Sequence, residues 1–90
     1  MRITYDPAKN ERNIRERGLS FDEAIEFDFV TADTHLELRN GEERNVSIGY
    51  LRGRLHLLCY LELQDGIRVI SFRKMNKREA DFHGKPRTTY

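Results

Sequence analysis

Residues Leu55 to Lys74 read LHLLCYLELQDGIRVISFRK. They hold the most apolar run of the chain, Leu55-His56-Leu57-Leu58-Cys59-Tyr60-Leu61, and a second β-prone run, Ile67-Arg68-Val69-Ile70-Ser71-Phe72-Arg73. Asp65-Gly66 stands between them, a strong hairpin signal because a type I′ turn needs positive φ at both central residues. Taken as a two-residue loop, Asp65-Gly66 sets Gln64 opposite Ile67. Counting back pairs Leu61 with Ile70, Tyr60 with Ser71, Cys59 with Phe72 and Leu58 with Arg73. Facing residues share one side of a sheet. Leu57, Cys59, Leu61, Ile70 and Phe72 then form the core face. His56, Tyr60, Ser71 and Arg73 fall on the other.

The preceding stretch extends this sheet. Glu43 to Leu51 alternates, with Val46, Ile48 and Tyr50 on one side and Asn45, Ser47 and Gly49 on the other. A turn at Arg52-Gly53 pairs Tyr50 with Leu55, Ile48 with Leu57 and Val46 with Cys59, in agreement with the hairpin register. Asn40-Gly41 is a further turn signal. Val30 to Leu38 reads as a loop and an edge strand, and Ile3-Thr4-Tyr5 as a short β-prone segment. Asp6-Pro7 supplies an N-cap and a first helical residue. That helix runs to Arg17 and stops at Gly18; its surface is charged, with only Ala8 and Ile14 to dock. Ser20 and Glu23 form a capping box for a second helix, whose inner stripe is Phe21, Ala24 and Ile25 and whose end is near Phe29. Asn76 and Glu79 cap a short last helix. The expected fold is α+β: two N-terminal helices packed on a three- to four-stranded antiparallel sheet, with a short C-terminal helix. Residues 1–83 form the single domain, and 84–90, which lack periodicity, form a disordered tail.

The 90 residues fit one small domain with a thin core. The net charge is +1 with 34% charged residues, a balanced solvated surface and not an overtly basic one. The basic residues concentrate late, from Arg68 to Arg87. The single cysteine, Cys59, excludes a disulfide framework and reads as a small buried hydrophobe in a reducing compartment. The N-terminus has no apolar signal segment, and no run is long enough to cross a membrane. The expected location is cytoplasmic, with no membrane partner.

The open sheet face is the candidate site. Arg73 and Lys74 put two cations at one sheet edge, Tyr60 offers a stacking surface, and His56 titrates near neutral pH. An anionic ligand with flat rings, such as RNA, fits this set. RNA cleavage without a metal needs a base near the 2′-hydroxyl, an acid near the leaving oxygen and cations on the phosphate. Glu43, His56, Tyr60, Arg73 and Lys74 are the candidate catalytic residues. The bland readings are a solvated strand end for Arg73-Lys74, a partly exposed strand position for His56, packing for Tyr60 and a solvated strand start for Glu43. The three histidines lack ligand spacing and no phosphate-binding glycine loop occurs, so no metal or other cofactor is expected.

In order and spacing, several segments resemble the BrnT toxins. They are Tyr5-Asp6-Pro7-Ala8-Lys9 with Asn13, Gly18 to Ala24, Gly41-Glu42-Glu43-Arg44, Ile48-Gly49, and Arg68 to Lys74 with Glu79. The resemblance covers about Ile3 to Phe82. It implies a RelE-like fold, an endoribonuclease that arrests translation, and an antitoxin with a ribbon-helix-helix domain (BrnA-like). Operator DNA would be met only through that complex. The family's Ser-x-Arg-Lys segment falls on Ser71, Arg73 and Lys74, its Glu-Glu-Arg segment on Glu42, Glu43 and Arg44, and its first-helix lysine on Lys9. Lys9, Arg44, Ser71, Lys77 and Arg78 are the candidate substrate-binding residues. Many members carry Lys-His-Gly where this chain has Glu16-Arg17-Gly18, tryptophan in place of Tyr5, and a more basic last helix. These departures keep two alternatives open. One is a weak or inactive relative that binds RNA or antitoxin as a co-repressor. The other is a protein-interaction domain docking through Ala8–Arg17.

Overall fold

The computed structural model describes residues 1–90. Its elements are β1 (Arg2–Tyr5), α1 (Pro7–Arg17), a 3₁₀ helix (Phe21–Glu26), β2 (Asp33–Arg39), β3 (Glu42–Leu51), β4 (Arg54–Leu63), β5 (Gly66–Lys74) and α2 (Lys77–Phe82). The strands form one sheet in the order β1-β5-β4-β3-β2. The class is α+β. The sheet has five strands and is mixed, because β1 pairs parallel to β5. No helix is long and apolar enough to cross a membrane.

Local chemistry sets the helix ends. The Ala8 amide donates to Asp6 Oδ1 (2.9 Å), Pro7 opens α1, and Gly18 closes it at φ 65°. With Ile14 exposed, α1 docks through two buried amides. Asn13 donates to the Leu19 and Phe72 carbonyls (2.9 and 3.0 Å), and Asn10 accepts from the Phe21 amide (2.7 Å). The Ser20–Glu23 capping box forms, but it opens a single 3₁₀ helix. Phe21 and Ala24 point inward from it while Ile25 is exposed. At Phe27 the chain is already extended and bridges to Leu51, which ends the helix before Phe29. Asn76 and Glu79 box the start of α2.

The β3–β4 register is the expected one, with Val46↔Cys59, Ile48↔Leu57 and Tyr50↔Leu55. Both Arg52-Gly53 (φ 47° and 79°) and Asn40-Gly41 (φ 51° and 78°) make left-handed two-residue turns. The β4–β5 register differs from expectation. The turn is Gln64-Asp65, with Leu63↔Gly66 and Tyr60↔Val69. A bulge at Ile70 then shifts the ladder to Cys59↔Ser71, Leu58↔Phe72, Leu57↔Arg73 and His56↔Lys74. Gly66 does not serve the turn. A Cβ there would lie 1.9 Å from the Arg2 carbonyl oxygen, so the glycine admits β1 alongside.

These two facts reverse the expected faces. Leu58, Tyr60, Ile67, Val69 and Phe72 pack under Leu19, Phe21, Ala24 and Phe27. The N-terminal helices therefore cover the face that carries His56 and Tyr60, not the Val46–Cys59 face. The second face is covered only at one end, where Ile48 and Leu55 meet Met75 and Ala80, beside Tyr50 and Leu57. The tail, expected to be disordered, runs back along the β3–β4 hairpin. Leu55 N–H donates to Arg87 O and Thr89 N–H to Gly53 O, both at 2.8 Å, and the Tyr50 hydroxyl donates to Pro86 O. Backbone pairing holds it where no side-chain period is needed.

Candidate active site

The uncovered part of the second face is a groove of ≈ 290 Å³. Its floor is Val46, Leu57, Cys59 and Ile70; its polar rim is Glu37, Arg39, Arg44 and Ser71. Alternation on β2 places His35, Glu37 and Arg39 on this side, opposite Val46, Arg44 and Glu42 of β3. Glu37 lies 4.0 Å from the Arg39 guanidinium and 3.6 Å from His35 Nε2. Arg44, its side chain 23% exposed, is braced by Glu42 at 3.3 Å. Burial pushes the Cys59 thiol up, and the cations Arg44 and Arg39 pull it the other way. An apolar floor with a carboxylate and two guanidinium groups above it suits a flat ring attached to a phosphate.

The bulge at Ile70 aims the far wall. It leaves Ser71 and Arg73 on the groove side, with Phe72 and Lys74 on the helical side. Arg73 makes a two-pronged pair with Glu79 of α2 (2.9 and 2.8 Å). The Arg73 guanidinium and the Asn76 amide hold the Glu79 carboxyl at about 2. Ser71 and Ile70 also line a hollow of ≈ 200 Å³ against α1, which brings Lys9 around the same edge of β5.

Of the residues expected at the site, the structure gathers Arg44 and Ser71 at the groove, with Lys9 at its margin; Arg73 lies outside its lining, paired with Glu79. Lys74 leaves β5 on the opposite face from Arg73, as strand neighbours do, but both reach one hollow at the strand end, with Arg17. His56 is 2% exposed beneath the helices. Tyr60 is buried, its hydroxyl bonded to Ser47 Oγ (3.0 Å) and its ring edge-on to Phe29. Neither is a stacking or titrating surface on the open face. Glu43 is exposed opposite Leu38, on the side away from the groove. Lys77 pairs with Asp81 on α2, and Arg78 is exposed on the same helix. Sequence reasoning missed Glu37 and Arg39. The signal was present: polar His35, Glu37 and Arg39 alternate with Leu36 and Leu38. The leucines are 63% and 71% exposed, so apolarity did not mark the buried side.

One protein-family model matches the chain, over residues 5–79: ribonuclease toxin, BrnT, of type II toxin-antitoxin system. No curated protein and no solved structure matches it.

Proposed function

Because the chain belongs to the BrnT family of ribonuclease toxins of type II toxin-antitoxin systems, we propose that the open groove is its RNA-cleaving site and that it works without a metal ion. One observation carries the reading. A carboxylate, Glu37, meets two guanidinium groups, Arg39 and Arg44, over an apolar floor on the one part of the sheet that no helix covers. Glu37 removes the proton of a 2′-hydroxyl, and that oxygen attacks the adjacent phosphorus. The bond to the 5′-oxygen breaks, leaving a 2′,3′-cyclic phosphate. Arg39 and Arg44 stabilise the charge that grows on the phosphoryl oxygens. The leaving 5′-oxygen faces Ser71 on the β5 wall and takes its proton from solvent water. Val46, Leu57 and Ile70 receive the face of a base, and Lys9 follows the backbone around the edge of β5.

A type II system implies an antitoxin. The resemblance supports a ribbon-helix-helix antitoxin, repression of the operon by the complex, a RelE-like ancestry of the fold, and translation arrest through RNA cleavage in the cytoplasm. One observation favours a second reading, a co-repressor with weak cleavage: Glu79 already neutralises Arg73. Induced expression in a bacterial host separates the two. Wild type is expected to stop growth and fragment RNA, and Arg44→Ala to do neither while folding normally. Growth and intact RNA under folded wild type favour the co-repressor.

A further inference from the structure

On the opposite face from the groove, a second cleft of ≈ 250 Å³ opens between the end of α1, the β3–β4 hairpin and the end of β5. It shares no lining residue with the groove. Arg17, Arg52, Arg54 and Lys74 line it against a single carboxylate, Glu23. Arg52 is committed to Glu23 and Glu26. Arg17 and Lys74 make no ion pair and are exposed. They also line the neighbouring hollow that reaches Arg73, so the positive surface is continuous. The carboxyl end of α1 contributes only about half a negative charge against this set.

Two buried polar atoms in these walls have no partner: Arg54 Nε and His56 Nε2. The His56 ring is fixed. Its Nδ1 lies 2.7 Å from the Arg54 carbonyl oxygen, which can only accept, so Nδ1 carries the proton. Nε2 of the neutral ring is then an acceptor, while Arg54 Nε–H is a donor. We infer that this cleft is a binding site for a protonated phosphate group, one oxygen accepting from Arg54 Nε–H and one hydroxyl donating to His56 Nε2, with Arg17 and Lys74 closing over its charge. An internal phosphodiester brings one charge and no proton, so the site fits a terminal phosphate, on a free nucleotide or on the end of a nucleic-acid strand. Sulfate has the same shape and no proton to give, so the site is expected to reject it.

The test follows the ring nitrogens of His56 by NMR at pH 6.5, where about a quarter of a phosphate monoester still carries its proton, assigned against His35→Gln and His83→Gln. Inorganic phosphate is expected to move the Nε2 resonance saturably, at least tenfold more tightly than sulfate at matched ionic strength. The double variant Arg17→Ala/Lys74→Ala, changed only at exposed positions, is expected to keep its melting temperature and to weaken phosphate at least tenfold. Adenosine 5′-monophosphate and a 5′-phosphorylated oligodeoxynucleotide then tell a free nucleotide from a strand end by which binds tighter. No saturable response of His56, an equal response to sulfate, or an undiminished response in the folded double variant overturns the site.

Discussion

Arg73 and Lys74 illustrate what a single residue's position decides. The sequence presents them as one pair of cations, yet strand alternation alone sends them to opposite faces. Arg73 turns to Glu79 of α2 and Lys74 to the second cleft that His56 lines, and their heads meet again only around one hollow at the strand end. The Arg73–Glu79 pair and the box at Asn76 share the same carboxylate, so Glu79→Ala is expected to cost about 1–2 kcal/mol. Urea denaturation checks this, and a change below a few tenths would deny the pair its role. Two titrations act in separate pH windows. Glu79 is lowered to about 2 in the folded chain, so its stabilisation is present above the unfolded value near ~4.5 and is lost as pH falls towards 2. His56 is lowered too. Burial is the main cause; the Arg54 carbonyl opposes it, and the charges of Arg54, Lys74 and Arg52 add to it. Between the lowered folded value and the unfolded value near ~6.5, the unfolded chain binds more protons. Stability therefore falls as pH drops through that window. Denaturation curves at pH 7.5 and 5.5 are expected to separate for wild type and to separate less for His56→Gln. Equal separation in both would place the titration elsewhere.

At the scale of elements, what was legible was local. The caps Asp6, Ser20 and Asn76, the stop at Gly18 and the turns at Asn40-Gly41 and Arg52-Gly53 each depend on a few neighbouring residues. The β3–β4 register followed from its turn. The β4–β5 register did not, because Gly66 answers to Arg2, far away in sequence. Nothing within the hairpin distinguishes a glycine that turns from one that admits a neighbouring strand. The bulge at Ile70 was equally hidden, and together they moved the helices to the other face. Gly66→Ala tests this origin of the register. With the added Cβ 1.9 Å from a backbone oxygen, β1 must move, at an expected cost of about 1–3 kcal/mol. A turn glycine at negative φ would tolerate alanine at little cost, so a neutral result would contradict the assignment.

At the scale of the molecule, a single sheet separates two basic concavities of different character. The groove is open, floored by apolar side chains and rimmed by Glu37, Arg39 and Arg44. The cleft is narrower in purpose, with a fixed neutral histidine and unpaired cations. The sequence pointed to RNA and to an open face with cations on the side of His56 and Tyr60, which the helices cover; Arg44 and Ser71 line the groove on the other side. It left the base open among Glu43, His56 and Tyr60; His56 and Tyr60 lie inside the core and Glu43 faces away from the groove, while the carboxylate at the groove sits on the strand whose apolar residues face outward. Single-turnover cleavage of a short oligoribonucleotide, in the presence of a metal chelator, by wild type, Glu37→Gln and Lys74→Ala tests the central claim most directly. Wild type is expected to cut, Glu37→Gln to be slower by about 10²–10⁴, and Lys74→Ala to stay within about threefold of wild type. Full activity in Glu37→Gln, or its loss in Lys74→Ala alone, would move the chemistry out of the groove.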